Sequence, residues 1–190
     1  WKTVTAGNFW TKVTTPLSTA QRNINDGRTT VLGEQGFYNN ALRVHPTDPN
    51  TVFAGGIDIY RSTDGGTSWT QVTMWIPGTP GYSYAHADQH VFAFHTGTNP
   101  ASIFVGNDGG IFKSANNGTS WQNVNNGLGV TQFYFFAAHP SNPNVLLGGT
   151  QDNGSPLLTN GATNGWLRDL TTGDGGPAHF DEETPTTIYA

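Results

Sequence analysis

Short strand-forming runs, glycine-rich turns and a block that recurs along the chain predict an all-β fold. The expected form is a β-propeller of four-stranded antiparallel blades, with about three whole blades and partial ends. The block is plainest at Val52-Phe53-Ala54-Gly55-Gly56-Ile57-Asp58-Ile59-Tyr60-Arg61-Ser62 and at Ile103-Phe104-Val105-Gly106-Asn107-Asp108-Gly109-Gly110-Ile111-Phe112-Lys113-Ser114. Each copy runs into a turn and a Trp, over residues 62–69 and then 114–121, and Ser114 stands 52 positions after Ser62. One such sheet cannot bury both its faces, so neighbouring repeats must stack around an axis.

Each repeat reads as four strands, A to D from the axis outward. In the first repeat, about residues 31–73, these are 41–44, 51–55, 57–61 and a strand entered at Trp69. The second, about 84–125, has 90–94, 102–106, 110–113 and a strand entered at Trp121. The third, about 130–170, keeps 132–138 and 144–148 and ends near Trp166; a fourth, 174–190, begins with 178–180 and stops. At the other end, within a partial repeat over about 1–30, Trp1-Lys2-Thr3-Val4-Thr5 matches Trp69-Thr70-Gln71-Val72-Thr73. Residues 1–190 are therefore expected to form part of one propeller domain whose other blades come from a longer parent chain. Trp1 without a leader fits a numbering that starts inside a precursor.

Composition narrows the function. Only 11% of the 190 residues are charged, the net charge is −5, and eight Lys and Arg offer no basic stripe for phosphate backbones, which excludes nucleic acid. No apolar run approaches the roughly 18 residues of a membrane helix. The absence of cysteine removes disulfides, thiolate zinc sites and thiol nucleophiles together. Aromatics at 12% supply a core that disordered polar chains lack.

The pattern Ser62-x-Asp64-x-Gly66-x-x-Trp69 has a physical logic. Asp64 can accept N–H groups of its own turn, Gly66 tolerates a crowded backbone, and Trp69 packs as the chain enters the next strand. The second copy, Ser114, Asn116, Gly118 and Trp121, exchanges the carboxylate for an amide, which a catalytic group would not survive. All eight residues are read as structural. They resemble the Asp box, or bacterial neuraminidase repeat, of sialidases, xyloglucanase-type glycoside hydrolases and sortilin-like propellers. The series Asp-Gln-His, Gly-Asn-Asp-Gly-Gly, Gly-Thr-Gln-Asp-Asn-Gly and Gly-Asp-Gly-Gly is similar to exported, glycosyl-hydrolase-like bacterial proteins. The resemblance implies a secreted or cell-surface bacterial protein; enzymes, receptors and assembly factors all share the motif.

Antiparallel connection puts the A–B and C–D turns on one face, and the starts of A and ends of B on the other, nearest the axis. Unusual polar residues gather at that second face. Starts of A supply Glu34, Gln35, Tyr38, Asn39, His86, Asp88, Gln89, His90, Gln132 and Asp174; ends of B supply Asp58, Asn107, Asp108, Gln151, Asp152 and Asn153. The ring is expected to draw them around one acidic mouth. Gly-Asn-Asp-Gly-Gly and Gln-Asp-Asn-Gly are also good turn sequences. His45 and His139 precede proline in A–B turns and read as structural, whereas His86 and His90 flank Asp88.

Two functions compete. A glycan-hydrolysing or glycan-binding propeller would take its acid and base from Asp88, Asp108, Asp152 and Asp174. It would hold a polysaccharide or glycoprotein glycan with His86, His90, Asn107, Gln151 and Asn153. Trp75, Tyr82, Tyr84, Phe133 and Tyr134 could stack on sugar rings. Sialidase chemistry is disfavoured, because none of Arg22, Arg28, Arg43, Arg61 and Arg168 lies in the mouth motifs. The alternative is a non-catalytic extracellular scaffold or protein-interaction module. No cofactor is required, but Asp88, Asp108 and Asp152 offer oxygen ligands to a stabilising Ca²⁺. The insert 73–87 is expected to overhang the mouth. Asn117-Gly118-Thr119 and Asn153-Gly154-Ser155 match glycosylation acceptors, which have no meaning in a bacterium.

Overall fold

A computed structural model of the chain describes residues 2–3, 5–11, 32, 35–129, 131–159, 161, 166–167, 170–171 and 173–190. Trp1 and Val4, two of the five residues of the expected N-terminal strand, lie outside them. Lys2 instead pairs with Thr11, each backbone N–H reaching the other's carbonyl at 2.8 Å. The chain forms two compact units, Trp1–Gly127 and Leu128–Ala190.

The first unit contains two four-stranded antiparallel sheets. One is β1 (Ala41–Val44), β2 (Val52–Gly55), β3 (Ile59–Ser62) and β4 (Thr70–Gln71). After β5 (Thr73–Met74) and β6 (Ser83–Tyr84) comes the other: β7 (Gln89–His95), β8 (Ser102–Asn107), β9 (Gly110–Ser114) and β10 (Gln122–Asn123). Each sheet is a plain meander in which consecutive strands are neighbours, with Ala41 opposite Gly55 and Phe92 opposite Val105. Their facing sides make one core of Ala41, Phe53, Ile59, Ala85, Phe92, Ile103, Val105, Phe112 and Trp121. Phe53 is sealed completely and meets both Phe92 and Phe94 with ring centroids about 6 Å away. Burying one such ring contributes about 2–3 kcal/mol.

The insert holds a two-stranded sheet of its own. β5 and β6 pair in parallel, Thr73 opposite Ser83, so the chain must travel back before it runs forward again. Ser83 Oγ then accepts the N–H of Trp121 at 2.8 Å, and the Tyr84 ring stands edge-on to Phe112 at 5.7 Å.

The second unit repeats the meander with β11 (Phe133–Ala138), β12 (Leu146–Thr150), β13 (Leu157–Leu158) and β14 (Trp166–Leu167). A two-stranded sheet follows, β15 (His179–Phe180) and β16 (Ile188–Tyr189). Its core is Leu147, Ala178 and Phe180. Gly149 permits the close approach of two segments: a Cβ there would collide with the carbonyl oxygens of Gly175 and Gly176.

The two units reuse one detail of packing. His45 sits edge-on to Phe94 at 5.1 Å, and His139 meets Phe180 in the same manner at 5.2 Å. Each imidazole also accepts the backbone N–H two residues on, from Thr47 and from Ser141.

Candidate functional site

The turns that carry the Ser-Asp motif are held by a dense local network. Ser62 Oγ donates to Asp64 and accepts the N–H of Gly66 at 2.8 Å, while Asp64 accepts the N–H groups of Thr67 and Ser68 and the Ser68 hydroxyl. Those donors hold the Asp64 carboxyl well below the usual carboxylate range, the Ser68 hydroxyl contributing most. In the second copy Ser114 Oγ donates to Asn116 Oδ1 and accepts the N–H of Gly118, Asn116 Oδ1 accepts the N–H of Ser120, and its amide donates to Ser120 Oγ. Trp121 is buried and its Nε1 donates to the Gly118 carbonyl; Trp69 is half-buried, over Gly66.

At the opposite end of the strands, the first unit assembles polar side chains from both its sheets. A β-bulge interrupts the β7–β8 ladder between Gln89 and Val91, and the residue it displaces is His90. Bulges re-aim side chains. His90 Nε2 here meets Asp108 Oδ1 at 2.6 Å. The other Asp108 oxygen accepts the Tyr38 hydroxyl at 2.8 Å, and the Tyr38 ring stands edge-on to His90, centroids 5.1 Å apart. The Asp108 side chain is only 9% accessible, His90 37%.

Asp88 approaches from the strand start. Its backbone is left-handed, with φ of 66°, and its N–H donates to the Ile57 carbonyl at the end of the first sheet. That conformation directs the carboxylate, 8% exposed, onto two carboxamides: Asn39 Nδ2 donates to Oδ1 at 2.5 Å and Gln35 Nε2 to the same oxygen at 3.2 Å. An oxygen of Asp88 and one of Asp108 lie within 4.8 Å of each other. At an effective dielectric of 20, two charges so spaced repel by about 3 kcal/mol. The donors from Gln35, Asn39, Tyr38 and His90 offset part of that repulsion.

Other expected site residues serve the scaffold around this pair. Gln89 is fully buried and donates to the carbonyls of Ile57 and His86. Asn107 donates to the His86 carbonyl and Gln89 Oε1, and its own Oδ1 accepts the Gly109 N–H, so its carboxamide is spent within the chain. Asp58 is buried and accepts Gln71 Nε2 at 3.1 Å. Half-buried His86 packs where a Gly109 side chain would stand. Trp75 is exposed on the insert. Burial raises the pKa of the Tyr84 hydroxyl.

In the second unit, Asp174 Oδ1 accepts the N–H of Asp152, whose backbone is again left-handed at φ of 55°. Asn153 donates to the Gln151 carbonyl at 2.8 Å, and the Gln151 N–H reaches the Gln132 carbonyl. Phe133 rests between Phe136 and Trp166. A second bulge falls between Phe133 and Phe135, displacing Tyr134, the counterpart of His90 in this repeat. Among the remaining candidates, Arg61 donates to the Asn117 carbonyl; Glu34, Arg22, Arg28 and Arg168 lie outside the described residues.

One pair of residues escaped the motif reading. The Ile59 N–H donates to Thr73 Oγ1 at 2.8 Å, and the Ile111 N–H to Asn125 Oδ1 at 2.7 Å. Thr73 and Asn125 both stand four residues after the repeat Trp, a spacing visible in the sequence, but their differing types disguise a shared role.

No family model matches this chain, and no curated protein does. Among solved structures, it is similar to an ancestral GH74 enzyme at 19% identity over 78% of this chain and 21% of that one, TM-score 0.38. It is similar to the GH74 xyloglucanase from Xanthomonas campestris at 20% identity over 77% and 25%, TM-score 0.35. YCF48 bound to D1 peptide is similar at 13% identity over 69% and 67%, TM-score 0.29. The chain thus spans about a quarter or less of the two glycoside hydrolases.

Proposed function

We propose that this chain is part of an exported β-propeller that binds a neutral polysaccharide at the polar end of its blades. The observation that carries the reading is the convergence of Tyr38, His90 and Asp108 beside Asp88 in the first unit, from segments up to 70 positions apart. Sugar rings are recognised by fixed acceptors that receive vicinal hydroxyls, next to an aromatic surface that covers C–H faces. Asp108 is a fixed acceptor that receives two donors, and Tyr38 beside it is 40% exposed. Binding is favoured over hydrolysis because both oxygens of Asp108 and one of Asp88 are already engaged by the chain. A retaining hydrolase needs a carboxylate open to the anomeric carbon.

Calorimetric titration of a panel of soluble polysaccharides, with reducing-sugar release measured on the same samples, tests this. Binding without release supports the reading, and Tyr38→Ala should weaken it at least tenfold while the melting temperature holds. Release of reducing ends lost in Asp108→Asn would replace binding with catalysis. The absence of any glycan ligand would favour the interaction-scaffold alternative.

A further inference from the structure

We propose that the Asp88–Asp108 pair of the first unit takes a divalent cation, with Ca²⁺ the best fit. The proposal does not depend on the glycan reading. Two carboxylates within 4.8 Å, both largely closed to solvent, make an oxygen-rich locus whose repulsion the surrounding donors only partly relieve.

A second observation is independent of the acidic pair. Asn39 is completely buried, its amide is directed onto Asp88, and its Oδ1 has no hydrogen-bond partner. An orphaned buried carbonyl oxygen costs about 1–3 kcal/mol, and the group that satisfies it here must be electron-poor. A cation beside Asp88 is the partner this oxygen lacks. Both amide donors meet Asp88 Oδ1, which leaves Oδ2 as this carboxylate's ligand atom. Hard carboxylate and carboxamide oxygens select Ca²⁺, which accepts irregular geometry and completes its shell with water, over Mg²⁺, which demands a near-ideal octahedron.

The test is calorimetric titration of CaCl₂, and separately MgCl₂, into the chelator-dialysed chain, with melting curves in parallel. The expected result is Ca²⁺ binding with Kd on the order of 10⁻⁴–10⁻³ M, tighter than Mg²⁺, and a rise in melting temperature. Asp88→Asn and Asp108→Asn, nearly isosteric changes, should each weaken it at least tenfold, while Asp64→Asn in the distant turn leaves it unchanged. No heat and no melting shift up to about 10 mM Ca²⁺ would overturn the proposal. So would an isotherm unaltered in both site variants, because the ion would then sit elsewhere. No glycan is present in these titrations, so their failure leaves the polysaccharide reading standing.

Discussion

Asn39 Nδ2 donates to Asp88 Oδ1 at 2.5 Å, a buried bond between residues 49 positions apart that ties the polar end of one sheet to the strand start of the next. Asn39→Ala leaves a buried carboxylate short of a donor. It should destabilise the protein by about 2 kcal/mol in denaturant unfolding. An unchanged unfolding midpoint would mean that the bond contributes nothing.

The Ser-Asp turn makes a prediction about acid. Asp64 accepts four donors, so its folded pKa lies below the ordinary value of 3.8. A depressed folded pKa stabilises the protein above the unfolded pKa, and that contribution is lost as pH falls through the folded one. Melting temperature should therefore drop between roughly pH 5 and 2, and drop less steeply in Asp64→Asn. Equal slopes in the two proteins would contradict the network's role.

Glycine substitutions separate backbone strain from packing. Gly118 and Gly78 share nearly the same left-handed backbone, φ of 78° and 77°. A Cβ at Gly118 would press into the Phe53 ring, whereas nothing lies within 4 Å of one at Gly78. Gly78→Ala should cost about 1 kcal/mol and Gly118→Ala about 2–4 kcal/mol by chemical denaturation. Equal losses would mean that the turn does not seat on Phe53 as described.

Thr73→Val tests the bond to the Ile59 N–H, which recurs in the next repeat as Ile111 to Asn125. Thr73 is fully buried, so the nearly isosteric change should cost about 1–3 kcal/mol. Hydrogen exchange at the Ile59 amide gives the local readout: it should accelerate, and unchanged protection would show that Thr73 is not its acceptor.

Strands are legible because short strand-forming runs end in Gly, Asn and Pro turns; β1 occupies the expected 41–44, and most other strands shift by only a residue or two at their ends. The polar end was legible as a list, since strand direction alone puts Asp88 and Asp108 at the same end. What sequence could not separate was working from structural polarity. Asn107 and Gln89 look like ligands but bond to backbone carbonyls, a distinction that depends on three-dimensional neighbours. The bulge at His90 leaves no composition signal either, and the parallel pairing of β5 with β6 has no period that would announce it.

In the proposed glycan site, Tyr38 and Asp108 act together on the sugar. The most direct measurement is the affinity of wild type and Tyr38→Phe for the tightest-binding polysaccharide of the panel, alongside their melting temperatures. Tyr38→Phe should bind about tenfold more weakly, close to 1.4 kcal/mol, at an unchanged melting temperature, because Asp108 loses the hydroxyl that fixes it. Equal affinity in the two proteins would contradict it.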